Sequence, residues 1–154
     1  MKIHVLDRMI MWGDLDPLGI VFYPNYYRWM DGCAHLFMES LGVPMQELLR
    51  KRGIIFALVE TKCQYYLPGK YHDTIRIQTS LAQMEAKTLL MRYRFKRMPQ
   101  EELMAQGWER RICLDVSDPS QMKAREIPED IAEILAAALE NGSAWGDQEA
   151  ITST

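Results

Sequence analysis

The chain has 154 residues, with 18 Lys and Arg against 21 Asp and Glu, a formal net charge of −3. That length fits one domain with a sizeable core, and a composition 48% hydrophobic and 25% charged excludes whole-chain disorder. The mild acidity excludes the electrostatic footprint of a general nucleic-acid binder.

Ile3, Val5 and Met9 to Trp12 read as a first strand of imperfect alternation. Gly13 to Phe22 is a loop punctuated by Pro17 and Gly19. Tyr23-Pro24-Asn25 opens a helix, because proline is favoured in a first turn where its missing N–H costs nothing. Tyr26, Trp29, Met30, Cys33, Leu36, Phe37 and Leu41 then recur at helical spacing, and Gly42 and Pro44 end the run. Gly32, in mid-helix, marks a place where another backbone can approach closely. Met45 to Arg52 forms a short second helix. Strands follow at Ile54–Leu67, Asp73–Met84, Thr88–Met98 and Leu103–Val116, with Pro68-Gly69 and Pro99 to Glu102 as turns. Ile127-Pro128 leads a closing helix through Leu139. Successive strands with short turns imply an antiparallel sheet, so the class is α+β. Residues 1–140 make the single domain and 141–154 a loose tail. Uncovered sheet edges predict a homo-oligomer.

No run approaches the ~18 apolar residues that span a bilayer, and Asp7, Arg8 and Asp14 break up any signal core. No membrane partner is therefore expected. Cys33, Cys63 and Cys113 are odd in number and widely spaced. They read as buried thiols of a reducing compartment, the cytoplasm, and not as a disulfide framework or zinc site.

The informative stretch is Gly13-Asp14-Leu15-Asp16-Pro17-Leu18-Gly19-Ile20-Val21-Phe22-Tyr23-Pro24-Asn25-Tyr26. It sets two carboxylates in a loop just ahead of a helix N-terminus, whose free N–H groups and partial positive charge suit a developing oxyanion. A carboxylate beside such a terminus can act as nucleophile or general base. The plainer alternative is that Asp14 and Asp16 make Asx turns and cap backbone groups.

This stretch resembles the active-site signature of the 4-hydroxybenzoyl-CoA thioesterase family, hotdog-fold acyl-CoA thioesterases. The likeness continues through Arg28-Trp29-Met30-Asp31 and covers roughly Met1 to Leu139. The resemblance implies a long central helix wrapped by a five- or six-stranded antiparallel sheet, and dimers pairing into tetramers with sites at subunit interfaces. It implies that Asp16 is the catalytic carboxylate and that the Tyr23 backbone N–H is the oxyanion donor. Pro24 and Asn25 are the substrate-binding candidates of that signature, Asn25 reading equally as a cap or turn residue, and Asp31 reads either as an exposed helix charge or as an acceptor for a ring hydroxyl of an aromatic acyl group. The resemblance implies an acyl-CoA substrate, and no separate cofactor or metal is expected. A thioester on an acyl carrier protein, a non-catalytic acyl-binding protein and a dehydratase are the rivals.

Lys87 matches one of the family's basic positions for coenzyme A, whereas Glu85 and Ala86 depart from that pattern. Arg92, Arg94 and Lys96 share one strand face, read either as solvated surface or as attraction for phosphates, with Lys123 and Arg125 as weaker candidates. His4, His35 and His72 are scattered, and none matches the context of the dehydratase histidine. Glu39 is a helix-borne carboxylate of the kind another thioesterase branch uses.

Overall fold

The computed structural model describes residues 1–141, so the tail read beyond Asn141 lies outside the described residues. Six strands form one antiparallel sheet: β1 (Ile3–Met9), β2 (Ile54–Tyr65), β3 (Thr74–Met84), β4 (Thr88–Arg97), β5 (Glu102–Asp115) and the two-residue β6 (Lys123–Ala124). Their order is β1-β3-β4-β5-β2, with β6 on β5. Three α-helices accompany them: α1 (Pro24–Ser40), α2 (Met45–Arg52) and α3 (Glu129–Ala138).

Alternation places the core. Ile75 and Ile77 of β3, Leu89, Met91, Tyr93 and Phe95 of β4, and Ala105 and Cys113 of β5 are fully buried. Against them lies the face of α1 that buries Tyr26, Trp29, Met30, Cys33, Ala34, Phe37 and Met38. This 17-residue helix has Pro24 at its first position. It ends at Gly42, whose φ of 79° is open to glycine at little cost. The closing helix α3 buries Ile131, Leu135 and Ala138, and its end is tied to β3 by Glu140 N–H donating to Leu81 O at 2.9 Å.

Two expectations need correction. The first strand stops at Met9, and Trp12–Asp14 is one turn of 3₁₀ helix. Asp14 N–H donates to Met11 O at 3.0 Å and the Asp14 carboxylate takes the Met11 N–H at 2.9 Å, which folds the chain out of the sheet. Gly32 admits no close neighbour: a Cβ there would meet nothing within 4 Å. The close approach occurs at Gly107 of β5, where a Cβ would lie 2.0 Å from Met30 Sδ. The remaining differences are a residue or two at element ends, and the two-residue β6 supplies a sixth strand at a place the sequence pattern does not mark.

Candidate active site

The loop between the 3₁₀ turn and α1 is a small hairpin. Asp16 N–H donates to Ile20 O at 2.9 Å, Phe22 N–H to Asp14 O at 2.9 Å, and Leu15 faces Val21 in an antiparallel bridge. Its tip is Asp16-Pro17-Leu18-Gly19, closed by Gly19 N–H on Asp16 O at 2.9 Å. Asp first, Pro second and Gly last is the composition a type I turn favours, and Gly19 takes φ 72°. Val21 N–H donates to Gly69 O at 2.9 Å, which docks the hairpin on the segment ahead of β3.

Asp16 opens this tip. Its Oδ1 accepts the Leu18 N–H at 2.8 Å, an Asx turn that fixes the carboxylate, while no described residue donates to Oδ2. The local role read from its residue type is therefore present, and one oxygen stays available. Asp14 does more structural work. Its carboxylate takes Arg8 Nη2 and Met11 N–H, and its carbonyl takes Phe22 N–H and Asn25 Nδ2, all at 2.9 Å. The Asn25 amide thus orients the loop.

Tyr23 is the residue from which α1 springs. Pro24 has no N–H, Asn25 N–H donates to Phe22 O at 2.9 Å, and Tyr26 N–H donates to Tyr23 O at 3.1 Å. The Tyr23 N–H has no acceptor among the described residues, and no acidic side chain occupies the first turn. An exposed donor at the positive end of a helix is suited to an oxyanion. Asp16 and Tyr23 therefore stand at the tip and the base of one hydrogen-bonded hairpin. Tyr26 and Trp29, one turn further, pack into the core beside Phe95 and do not face solvent.

Asp31 lies two turns along α1 with its side chain 60% exposed, and its Oδ1 takes Arg111 Nη2 at 2.8 Å. Arg111 itself is buried. It also donates to Glu109 through Nε at 3.1 Å and Nη2 at 2.8 Å, and Tyr93 Oη donates to the same carboxylate at 2.7 Å. Burial, reinforced by the neighbouring Glu109 carboxylate, pushes the Tyr93 phenol well above its ordinary range. Arg111 is raised by Glu109 and Asp31 in spite of its burial. Neither Arg111 nor Glu109 stood out in the sequence. Their parity with Ala105, Gly107 and Cys113 on β5 was the available signal for an inward-facing charge pair.

Lys87 is exposed at the β3–β4 turn. Arg92 points at Glu140, with Nη1 to Oε2 at 3.1 Å, and Lys96 Nζ lies 4.0 Å from Glu101. That strand face is thus largely matched by acids. Glu39 is exposed on α1, and His4, His35 and His72 stay apart on β1, on α1 and in the turn before β3. Among the described residues no three of His, Cys, Asp and Glu are grouped to hold a metal ion, and no helix is long and apolar enough to cross a membrane.

A family model described as the thioesterase-like superfamily matches residues 10–135. The 4-hydroxybenzoyl-CoA thioesterase of Pseudomonas sp. (strain CBS-3) is 27% identical over 136 residues, 85% of this chain and 96% of its own. A gentisyl-coenzyme A thioesterase of known structure is 33% identical, covers 86% of this chain and 99% of its own, and superposes with a TM-score of 0.75. A 4-hydroxybenzoyl-CoA thioesterase variant with Asp replaced by Asn, crystallised with 4-hydroxybenzoyl-CoA, is 26% identical over 88% of this chain and 99% of its own, with a TM-score of 0.80. The hairpin and the helix start it feeds lie within the matched region, and the chain belongs to the thioesterase-like superfamily.

Proposed function

We propose that this thioesterase hydrolyses an acyl-CoA to the free acid and coenzyme A, with an aromatic acyl group favoured. The observation that carries the reading is the Tyr23 N–H at the start of α1, without an acceptor among the described residues, in one hairpin with a carboxylate of which one oxygen takes no donor from them. The thioester carbonyl docks on the Tyr23 N–H, which stabilises the tetrahedral oxyanion. In the nucleophilic route Asp16 attacks the carbonyl carbon. Collapse expels the coenzyme A thiolate and leaves a mixed anhydride, and water then cleaves it to restore Asp16. In the general-base route Asp16 takes a proton from water, which attacks directly. Thiols have pKa near 8.5, so the leaving group departs without a strong acid partner.

The aromatic preference is supported by relatives whose names specify hydroxylated aromatic acyl groups. Asp31 suits such a ring: Arg111 fixes its Oδ1, and its other oxygen is left for a hydroxyl donor. Pro24 and Asn25 shape the helix start, and Lys87 is the exposed cation assigned to the coenzyme A phosphates. Arg92 serves there only by exchanging Glu140 for phosphate, which also weakens the carrier-protein alternative. Among the described residues β2 pairs only with β5, and Leu58 and Val59 on it are 50% and 59% exposed. We assign that edge to a second copy of the chain, giving a dimer or a dimer of dimers. Sedimentation of the pure protein tests this, and a monomer refutes it.

The activity test is thiol release from benzoyl-, hydroxybenzoyl- and short and long aliphatic CoA esters, with wild type and Asp16→Asn. A loss of at least ~100-fold in the variant, about 2.7 kcal/mol of barrier, is expected. Equal rates remove Asp16 from the mechanism. Acyl-enzyme trapped by rapid quench marks the nucleophilic route.

A further inference from the structure

Arg8 is a cation on an edge strand that points toward the helix side of the sheet. Its partners across β1 and β3 place it opposite Ile75, on the parity of Leu6, which packs against the core. The guanidinium carbon sits 4.2 Å from the centre of the Trp29 ring. Its Nη2 meets Asp14 Oδ2 at 2.9 Å, and that carboxylate is only 17% exposed. Asp14 in turn holds four donors from four places: Arg8 of β1, Met11 before the 3₁₀ turn, Phe22 on the far limb of the hairpin and Asn25 in α1. Asp14 thus ties β1, the hairpin and the helix start together, alongside the Arg8–Trp29 contact and the Asn25 N–H bond to Phe22 O. Among the described residues Arg8 is the only charged group on it, and a half-buried carboxylate needs that countercharge.

We propose that Arg8 is a positioning residue for hydrolysis: by clamping Asp14 against Trp29 it sets the hairpin that carries Asp16 and the Tyr23 N–H. The planar guanidinium suits both tasks, since it can lie over an indole and still donate in its own plane, which an ammonium cannot do as well. Arg8 touches no reacting atom. It acts on geometry, where misplacement of reacting groups by about 1 Å can cost ~100-fold. The kinetic side of the inference rests on the proposed hydrolysis, and the structural side does not.

The test therefore has two arms, run on the full chain as wild type, Arg8→Met, Arg8→Lys, Asp14→Asn and Asp16→Asn. In the first arm, amide hydrogen exchange is followed by mass spectrometry. Arg8→Met and Asp14→Asn are expected to speed exchange in residues 11–22 at least ~10-fold while β3, β4 and β5 keep wild-type rates. In the second, kcat is expected to fall about 10- to 100-fold in both, with KM within about two-fold. Arg8→Lys should recover part of both losses. The Arg8→Met/Asp14→Asn double variant should lose little more than either single one. Unchanged exchange in 11–22, or protection lost equally across β3 to β5, overturns the inference. So does a local loosening with wild-type kcat. Asp16→Asn separates the two readings, because it should stop turnover and leave exchange in 11–22 unchanged. If wild type turns over no acyl-CoA, the proposed hydrolysis falls and the exchange arm alone decides whether Arg8 sets the hairpin.

Discussion

Replacing Gly107 by alanine puts one methyl group where the protein has no room. A Cβ at Gly107 would lie 2.0 Å from Met30 Sδ and 3.4 Å from both Met30 Cγ and Cε. The sulfur is in mid-side chain, and Met30 is fully buried on α1, so it cannot swing into solvent. Either Met30 leaves its rotamer or α1 lifts from β5. Overpacking of this kind costs about 1–3 kcal/mol, partly offset by about 0.4–1 kcal/mol from a less flexible unfolded chain. The expected net loss is about 1–2 kcal/mol, or roughly 2–8 °C in Tm for a chain of this size. Gly32→Ala is the matched control. Its Cβ meets nothing within 4 Å, and alanine in a helix gains up to about 1 kcal/mol over glycine. Urea and thermal unfolding at one fixed protein concentration measure both, because an oligomer's stability depends on concentration. Met30→Ala alone opens a cavity at about 2–5 kcal/mol, and adding Gly107→Ala to it should cost less than the sum by at least about 0.5 kcal/mol. Gly107→Ala within about 0.5 kcal/mol of wild type would refute the close approach of α1 to β5.

Three further outcomes follow from the buried and surface charges and the thiols. Arg111→Met should destabilise by about 3–5 kcal/mol, because it strands Glu109 in the core, and the double variant with Glu109→Gln should recover part of that in urea unfolding. Asp7, Glu47, Asp115, Asp118 and Asp130 are all held below their ordinary carboxylate range, in each case first by a side-chain hydrogen bond, from Arg76, Lys51, Ser117, Ser120 and Arg52 respectively. A depressed folded-state pKa stabilises above the unfolded value and is lost as pH falls through the folded one. Tm should therefore hold above about pH 5 and drop below about pH 4, and Asp7→Asn should flatten that slope; a Tm that rises on acidification would contradict the sign. Burial pushes the Cys33 and Cys63 thiols up to about 11 and raises Cys113 as well. Reaction with a thiol reagent at pH 8 should accordingly be slow in the native protein and complete, at three thiols per chain, in denaturant; fast native labelling would contradict it.

The sequence showed the elements whose signals are local. Alternating Leu89, Met91, Tyr93 and Phe95 face one way on β4 because strand side chains alternate, whatever lies beyond them. Pro24 at the head of α1 and Gly42 past its end act through backbone geometry within a few residues. The Asp16-Pro17-Leu18-Gly19 turn was legible for the same reason. The resemblance of that motif also singles out Asp16 as the candidate carboxylate and the Tyr23 N–H as the candidate oxyanion donor. Trp12 falls outside β1 although the sequence reads it as strand, because the apolar run Met9-Ile10-Met11-Trp12 carries no mark of where the strand stops. The carboxylate of Asp14 breaks the strand, and that contact is not a pattern of hydrophobicity.

Long-range choices were a different matter. Two glycines, Gly32 and Gly107, carry no label saying which one another element presses against, and only the packing of α1 on β5 selects Gly107. Charges were equally ambiguous. Arg8, Arg92 and Arg111 look alike in the chain, yet one lies over Trp29, one turns to Glu140 and one is buried with Glu109 under Asp31. A charged side chain can be buried only where its countercharge arrives; Glu109 stands two residues from Arg111, but Asp14, Glu140 and Asp31 stand 6, 48 and 80 residues from Arg8, Arg92 and Arg111. The sequence by itself thus determined the loop with its Pro17 and Gly19, the helix that follows it and the strand faces, whereas the pairing that makes the loop a hairpin came from the structure. The tertiary structure alone decided which cations are spent on holding that hairpin and helix in place, because the energy of a buried charge depends on what surrounds it in space.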